Sequence, residues 1–505
     1  MLTVIKILLI SLSSPIKTAR KFSFNKIKVL FKALKHESSG QIIANFRRYI
    51  EGNHEVLPVS NKTGDLISAK EQILRNKKEE FDAFLRSGSK LSFHGDAPVL
   101  SIVTIFFNQA SLSYACLKSI LKNVSVKYEL IIIDNHSTDD TNLLLDRIEG
   151  ATVIRNNKNL HFLKANNQAL DYVRGKFLLF LNNDTELTES TVLSAMDTLD
   201  SREKCGAVGG KMILPDGTLQ EAGSMIWNDG SCLGYGRHES PDLPEFNFKR
   251  VTDYCSGAFL LTYTDLFREH GGFDPAFAPA YYEETDYCLW LQEKGSEVVY
   301  DPEALVFHDE FGSSLSHEGI ALQQKNQRTF YGKHQRQLSK HFEYNPGNVL
   351  KARFAASQRY KQKVLYLDDR VPHRDQGAGF PRSNSILNFI RELDYDLTVY
   401  PLNFPHEDDW TTAYRDVDHF IEIIRGRGLD GFERFIRSRA DYFDIIWISR
   451  PHNMEALVKD IHFLKGRSKI IYDVEAIATD RNILQEELNG KRYTEEKKVK
   501  QYDKE

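Results

Sequence analysis

The run Glu129-Leu130-Ile131-Ile132-Ile133-Asp134-Asn135-His136-Ser137 is four aliphatic residues that stop abruptly on a carboxylate. A short continuous apolar run bounded by turn residues reads as a strand buried on both faces. The same design recurs on either side. The stretch 100–107 is apolar and ends at Asn108, 151–155 is a shorter repeat, and 177–181 runs into Asn182-Asn183-Asp184. Between these runs, 112–121, 141–148 and 163–173 have the spacing of amphipathic helices, with Ser137, Thr138 and Asp139 as candidate caps for the second. Strands alternating with helices predict a parallel α/β sheet. Ligands of such sheets sit beyond the carboxyl ends of the strands, so the residues that follow each run are the ones to inspect.

Three such places are acidic or amide-rich: Asp134 to Ser137, Asn182 to Asp184, and Tyr281-Tyr282-Glu283-Glu284-Thr285-Asp286, which opens an amphipathic helix carrying Tyr287, Leu289, Trp290 and Leu291. One acidic strand end alone is commonly a turn or a helix cap. Three on one sheet edge suit a divalent cation, and the hard oxygen set points to Mg²⁺ or Mn²⁺ rather than zinc. A cation there implies a phosphorylated ligand.

At these residues the segment from about 98 to 315 resembles glycosyltransferase family 2, with the GT-A fold, of the rhamnosyltransferase-like bacterial type. The resemblance is carried, in order, by Ser101 to Ile105 with Asn108, Ile133 to Asp139, Phe180 to Glu186, Pro215-Asp216-Gly217 and Gln220 to Gly223. It continues through Ser256-Gly257-Ala258, Gly271 to Asp274, Glu283 to Asp286 and Val306-Phe307-His308. It implies that Asp134 contacts the base or ribose of a nucleotide, with Thr104, Asn108, Asn167, Asn182 and Asn183 as further donor-binding residues. Asp184 matches the last acid of a DxD-type motif that binds the metal on a nucleotide diphosphate. His308 matches a histidine that contacts metal or diphosphate, although a lone His also reads as structural. Asn182 replaces the first acid of that motif, which predicts weaker metal affinity. The family's Arg is missing from Ala165-Asn166-Asn167-Gln168-Ala169, which leaves one diphosphate contact without a counterpart.

Glu283-Glu284 occupies the place of a Glu-Asp pair whose second acid is the catalytic base, so the resemblance assigns that role to Glu284. Asp286 is the alternative base, with helix capping as its structural reading. Glu283, Ser256 and Gly257 are expected on the acceptor side, and Glu283 also reads as structural. Trp227 and the Tyr281–Tyr282 pair could stack on sugar rings or simply be buried. Cys255 reads as a packed thiol.

A second α/β unit begins near Lys363, with strands expected at 364–367, 397–400, 445–448 and 470–472 and helices at 383–393 and before 457. It resembles the N-terminal lobe of a family 4, GT-B glycosyltransferase at Val364 to Pro372, Gly377-Ala378-Gly379, Ser449 to His452 and Ile471 to Glu475. No donor lobe follows it, so no independent transfer is expected from it. The expected organisation is a basic arm and helical lead-in at 1–95 (with a polar helix over 65–86), a GT-A domain at 96–317, a helical linker at 318–360 and the partial lobe at 361–505.

The 505 residues suit two or three domains, and 41% hydrophobic with 27% charged residues excludes a disordered or fibrous chain. The net charge of −4 conceals a split. Residues 1–50 hold ten Lys/Arg and one acid, Glu37, whereas the remainder holds 56 basic and 69 acidic residues. A basic amphipathic arm of this kind can lie on an anionic membrane or pack as a solvated helix. An acidic body without a binding motif argues against nucleic acid. Five scattered cysteines without a CxxC pair indicate a reducing compartment. The apolar run 4–12 is far below the ~20 residues of a span. The expected location is cytoplasmic, peripheral on the inner face of the plasma membrane.

These readings converge on a metal-dependent, inverting glycosyltransferase that moves a sugar, with dTDP-rhamnose as first candidate donor, onto a growing surface polysaccharide or lipid-linked glycan. The alternative is a non-catalytic scaffold that binds nucleotide or glycan. A nucleotidyltransferase is disfavoured, because Phe106-Phe107-Asn108-Gln109 is no glycine-rich phosphate loop.

Overall fold

The computed structural model describes residues 62–502, except His94, 311–316, Ala378, 407–408, Ala440, 462–466 and 476–477. The basic arm at 1–50 lies outside the described residues. The chain divides into the units Met1–Ile73 and Leu74–Glu505. Of the first, only the opening turns of the helix Lys62–Ser87 are described; the rest of the fold belongs to the second.

The predicted runs form the strands Leu100–Phe106, Tyr128–Asp134, Thr152–Arg155 and Phe177–Asn182, which lie parallel to one another. Alternate residues serve opposite layers. Leu130 and Ile132 join the core on one face, and Ile131 and Ile133 join the core on the other. Burying each of these side chains stabilises the fold by about 1.5–3 kcal/mol, which is why the run cannot slip by one residue without exposing itself.

The sheet extends beyond the expected strands. Its order is Arg250–Thr252, Glu297–His308, Cys205–Ile213, Phe259–Tyr263, Phe177–Asn182, Leu100–Phe106, Tyr128–Asp134 and Thr152–Arg155, with Thr185–Leu187 and Leu219–Ala222 pairing off this path. Phe259–Tyr263 runs antiparallel to both of its neighbours, and Glu297–His308 runs parallel to Cys205–Ile213. Asp134, Asn182 and His308 therefore all finish at one edge of the sheet. Because Phe259–Tyr263 is reversed, its entry, Ser256-Gly257-Ala258, falls at that edge too.

The second unit of strands is a five-stranded parallel sheet in the order Glu422–Ile423, Asp396–Pro401, Lys363–Asp368, Ile445–Ser449 and Lys469–Asp473. The segment 318–360 does more than join the two sheets. Its helix His317–Leu338 packs Phe330 and Leu338 into the first domain's core, and the carboxamide nitrogen of Asn326 donates to the carbonyls of Phe277, Ala280 and Tyr281 at 2.7–3.0 Å. None of the five cysteines is paired, and Cys116, Cys205, Cys255 and Cys288 are buried.

Candidate active site

Asp134 ends its strand almost fully buried and accepts the Ser137 backbone N–H at 3.2 Å. Asn108 follows Leu100–Phe106 with a left-handed backbone, φ 58°, and its side-chain oxygen accepts the Thr138 N–H at 2.8 Å, while its own N–H donates to Ser137 Oγ at 2.8 Å. These bonds fasten the two strand-end loops together. Asp139 acts as more than a cap of its own turn: it accepts from the Thr141 N–H and from the Ala110 N–H, the first residue of the next helix over, each at 3.0 Å.

Of the expected donor-binding residues, Asn167 and Asn183 are hydrogen-bonded to the protein itself and Thr104 is enclosed. Thr104 is entirely enclosed in the central strand, and its hydroxyl has no hydrogen-bond partner among the described residues. Asn167 donates to the Phe273 carbonyl and accepts the Phe273 N–H, both at 2.7 Å. A side chain at Gly272 would meet Asn167 Oδ1 at 2.8 Å, so the glycine pair is needed for this clamp. Asn183 donates to Ser113 Oγ at 2.8 Å, tying the turn to the helix Ala110–Asn123. Asn182 stays at the strand end, its backbone N–H given to Ala258 O at 3.0 Å.

His308 lies between two acceptors: Nδ1 is 2.6 Å from Gln220 Oε1 and Nε2 is 3.1 Å from Asp184 Oδ1. Nε2 is thus placed to donate to the Asp184 carboxylate while Nδ1 faces the Gln220 carboxamide. Burial works to lower the pKa of this imidazole, but the bond to and charge of Asp184 outweigh it and the net shift is upward. The pair fits a divalent cation. Loss of the Nε2 proton frees a lone pair beside the Asp184 carboxylate, and Gln220 keeps the ring oriented through Nδ1. Among the described residues no group of three or more His, Cys, Asp or Glu gathers for a metal. Two protein donors match a cation whose other ligands are phosphate oxygens and water. Lys77 closes the cluster from the helix Lys62–Ser87, paired with Glu186 at 2.5 Å and with Asp309. Lys77 was not singled out in the sequence, and Gln220 was marked only as part of the resemblance with no role assigned, because their neighbours come from remote segments.

The helix Glu283–Glu293 begins after two tyrosines with positive φ, 74° at Tyr281 and 77° at Tyr282. Two consecutive non-glycine residues in this region are costly; Asn326 holds the loop by the three bonds given above. The strain aims Glu283 and Glu284 into the protein. Each has an enclosed Oε2 without a hydrogen-bond partner among the described residues. Burial, then the charge of Glu284, pushes Glu283 well above the carboxylate range. Burial pushes Glu284 up to about 7, the charge of Glu221 adding to it and backbone amides, Gly257 included, opposing it. Glu221 is itself buried, accepting from the Ser256 N–H at 3.0 Å and from Ser224 Oγ at 2.9 Å. A Cβ on Gly257 would stand 3.7 Å from Glu284 Cβ, so Gly257 packs beside Glu284.

Asp286 is corrected from base to anchor. It has no exposed surface, and it is held by Lys333 at 2.8 Å, His334 at 2.6 Å and His270 at 3.7 Å. Burial alone would raise its pKa; hydrogen bonds from these three groups outweigh burial and hold it well below the usual range. Trp227 is fully buried against Tyr344 rather than presented to a sugar. Cys255 is packed so tightly that a Cβ on Gly209 would overlap it.

Residues 101–263 match the family model of glycosyl transferase family 2. The family 2 match takes in Asp134, Asp184, Ser256 and Gly257 and stops short of Glu284 and His308, which the sheet and the following helix bring to the same edge. The first domain is thus similar to glycosyl transferase family 2 over residues 101–263. The chain is 29% identical to an uncharacterized protein of Sinorhizobium fredii over 44% of this chain and 25% of that protein. It is 26% identical to an O-antigen biosynthesis protein of Myxococcus xanthus over 60% of this chain and 25% of that one. The chain thus spans about a quarter of the length of these two relatives. An Escherichia coli UDP-Glc:alpha-D-GlcNAc-diphosphoundecaprenol beta-1,3-glucosyltransferase is 24% identical over 38% of this chain and 69% of its own.

Proposed function

We propose that this protein transfers a sugar from a nucleotide-diphospho-sugar to a hydroxyl of a glycan or lipid-linked acceptor, with inversion at the anomeric carbon. The observation that carries this reading is Glu284, a buried carboxyl with an unpartnered oxygen poised near neutral pH, at the sheet edge that also holds Asp134, Asp184 and His308. In its ionised form Glu284 takes the proton of the attacking hydroxyl. The hydroxyl oxygen bonds to the anomeric carbon as the bond to the diphosphate breaks, and the electron pair leaves with the diphosphate. Asp184 and His308 would hold Mg²⁺ or Mn²⁺ on that diphosphate, and the cation would supply stabilisation of the charge developing there.

The E. coli relative's name makes UDP-glucose a candidate donor beside dTDP-rhamnose, and O-antigen-like polysaccharide assembly the setting. We read the basic arm as a peripheral tether to the inner membrane surface, where a lipid-linked acceptor would lie. The second sheet, read as a partial GT-B-like lobe, is assigned no transfer step of its own.

The test is thermal shift and turnover of the full chain with Mn²⁺ over a panel of nucleotide sugars. One donor should raise the melting temperature and be consumed. Asp184→Ala should abolish the metal-dependent shift, and Glu284→Gln should keep the shift and lose turnover. Full activity in both variants would sink the assignment; binding without turnover across the panel would favour the scaffold.

A further inference from the structure

The turn at 227–231, which joins the strands Ser224–Ile226 and Cys232–Gly234, faces the helix His317–Leu338 across an open cleft of ≈ 760 Å³. Asn228 and Asp229 line one side, and Gln324, Gln327, Arg328 and Tyr331 line the other. The last four recur at three- and four-residue spacing and so share one helix face. Gln327 Nε2 donates to the Asp229 carbonyl at 3.3 Å, joining the two walls. The volume lies within the ~300–1,000 Å³ of small-molecule sites.

The turn that forms one wall of the cleft is bonded to Tyr282, the residue that precedes Glu283 and Glu284. Tyr282 donates its hydroxyl to the Gly230 carbonyl at 3.0 Å in the turn, and its ring lies 5.2 Å from that of Phe330 on the helix. Glu283 and Glu284 come directly after it. The lining is unlike an apolar pocket. Three carboxamides each offer donors and an acceptor, as sugar hydroxyls do, and Tyr331 presents a ring 43% exposed, suited to the C–H face of a pyranose. One cation, Arg328, is balanced by one anion, Asp229, so the cleft offers no net charge to a phosphate.

We propose that this cleft is an acceptor subsite that holds a neutral sugar unit of the glycan while an adjacent hydroxyl reaches Glu284. The proposal rests on the sugar-transfer reading above and places the acceptor against a helix that lies beyond the segment matched to the family.

The test uses the full chain and saturation-transfer NMR with free maltose, cellobiose and di-N-acetylchitobiose, beside thermal shift with UDP and Mn²⁺. At least one disaccharide should bind the wild type. Tyr331→Ala and the exposed-face variant Gln324→Ala/Arg328→Ala should each weaken it about tenfold with the UDP shift unchanged, which also verifies folding. Where transfer is measured, the acceptor KM should rise and the donor KM stay. Binding of none of the disaccharides, or equal binding in wild type and both variants, overturns the subsite. Failure of the sugar-transfer reading shows separately, as the absence of any nucleotide shift or donor turnover.

Discussion

Asp286 Oδ1 and His334 Nε2 lie 2.6 Å apart, joining the helix that carries Glu283 and Glu284 to a helix whose His334 lies 48 residues further on. Lys333 bonds the same carboxylate. A buried charge with these partners positions the helix, and its lowered pKa makes it a weak base for a substrate proton. Asp286→Ala leaves His334 and Lys333 without their anion. It should cost about 3–5 kcal/mol of stability, read by urea unfolding, while kcat at a temperature where the variant stays folded falls only a few-fold. Unchanged stability with lost turnover would return Asp286 to the role of base.

Glu284 accepts a proton only when ionised. The rate should therefore rise with pH through about 7 and level off above it. Glu284→Gln should lower kcat by about 10²–10⁴-fold and remove that limb, with donor affinity kept. A wild-type profile flat from pH 5 to 9 would argue against this base.

For Glu283 the effect falls on stability. Its folded pKa is raised by burial and by Glu284, above an unfolded value of about 4.3. Raising the pH above the unfolded value therefore costs the wild type stability until the folded pKa is passed. Glu283→Gln has no such loss. Its melting temperature should exceed that of the wild type most at pH 8, by about 2–4 °C for each kcal/mol, and the gain should shrink towards pH 4. Thermal melts at the two pH values decide it.

Gln220 orients His308 through Nδ1. Gln220→Ala should weaken Mn²⁺ binding in the presence of UDP by about 10–100-fold, measured by titration calorimetry. An unchanged affinity would mean that the ring is held by its packing alone.

Arg353 grips Glu422 by two bonds of 2.8 and 2.7 Å, and Arg439 adds two more at 2.7 and 3.0 Å. Arg250, from the edge strand of the first sheet, donates to the Arg353 carbonyl at 3.3 Å. The two sheets should therefore unfold in one transition. Burial opposes ionisation of Glu422, but its arginines outweigh it and hold the carboxyl well below its usual range. Its contribution is thus present above about pH 4.3 and lost as pH falls through the lowered value. Glu422→Ala should cost about 3–5 kcal/mol by denaturant unfolding at pH 7. Separate melting of the two halves would contradict this coupling.

The amino-acid sequence alone determined the parallel strands and their acidic ends, because a run such as Leu130 to Ile133 can be buried in only one way and its periodicity is local. It also marked Asp134, Asp184, Glu284 and His308 through residue type and order. The reversed strand Phe259–Tyr263 was out of reach, since an apolar pentapeptide carries no sign of its direction, yet that reversal brings Gly257 to Glu284. Asn167, Asn183 and Asp286 carry the same groups as ligand-binding residues. Only the tertiary structure, by supplying Phe273, Ser113 and His334 as partners, decided that these side chains are bonded within the protein. The pKa of Glu284 was decided in the same way: the residue supplies a carboxyl, and burial, with the charge of Glu221 from a distant strand, raises it to about 7.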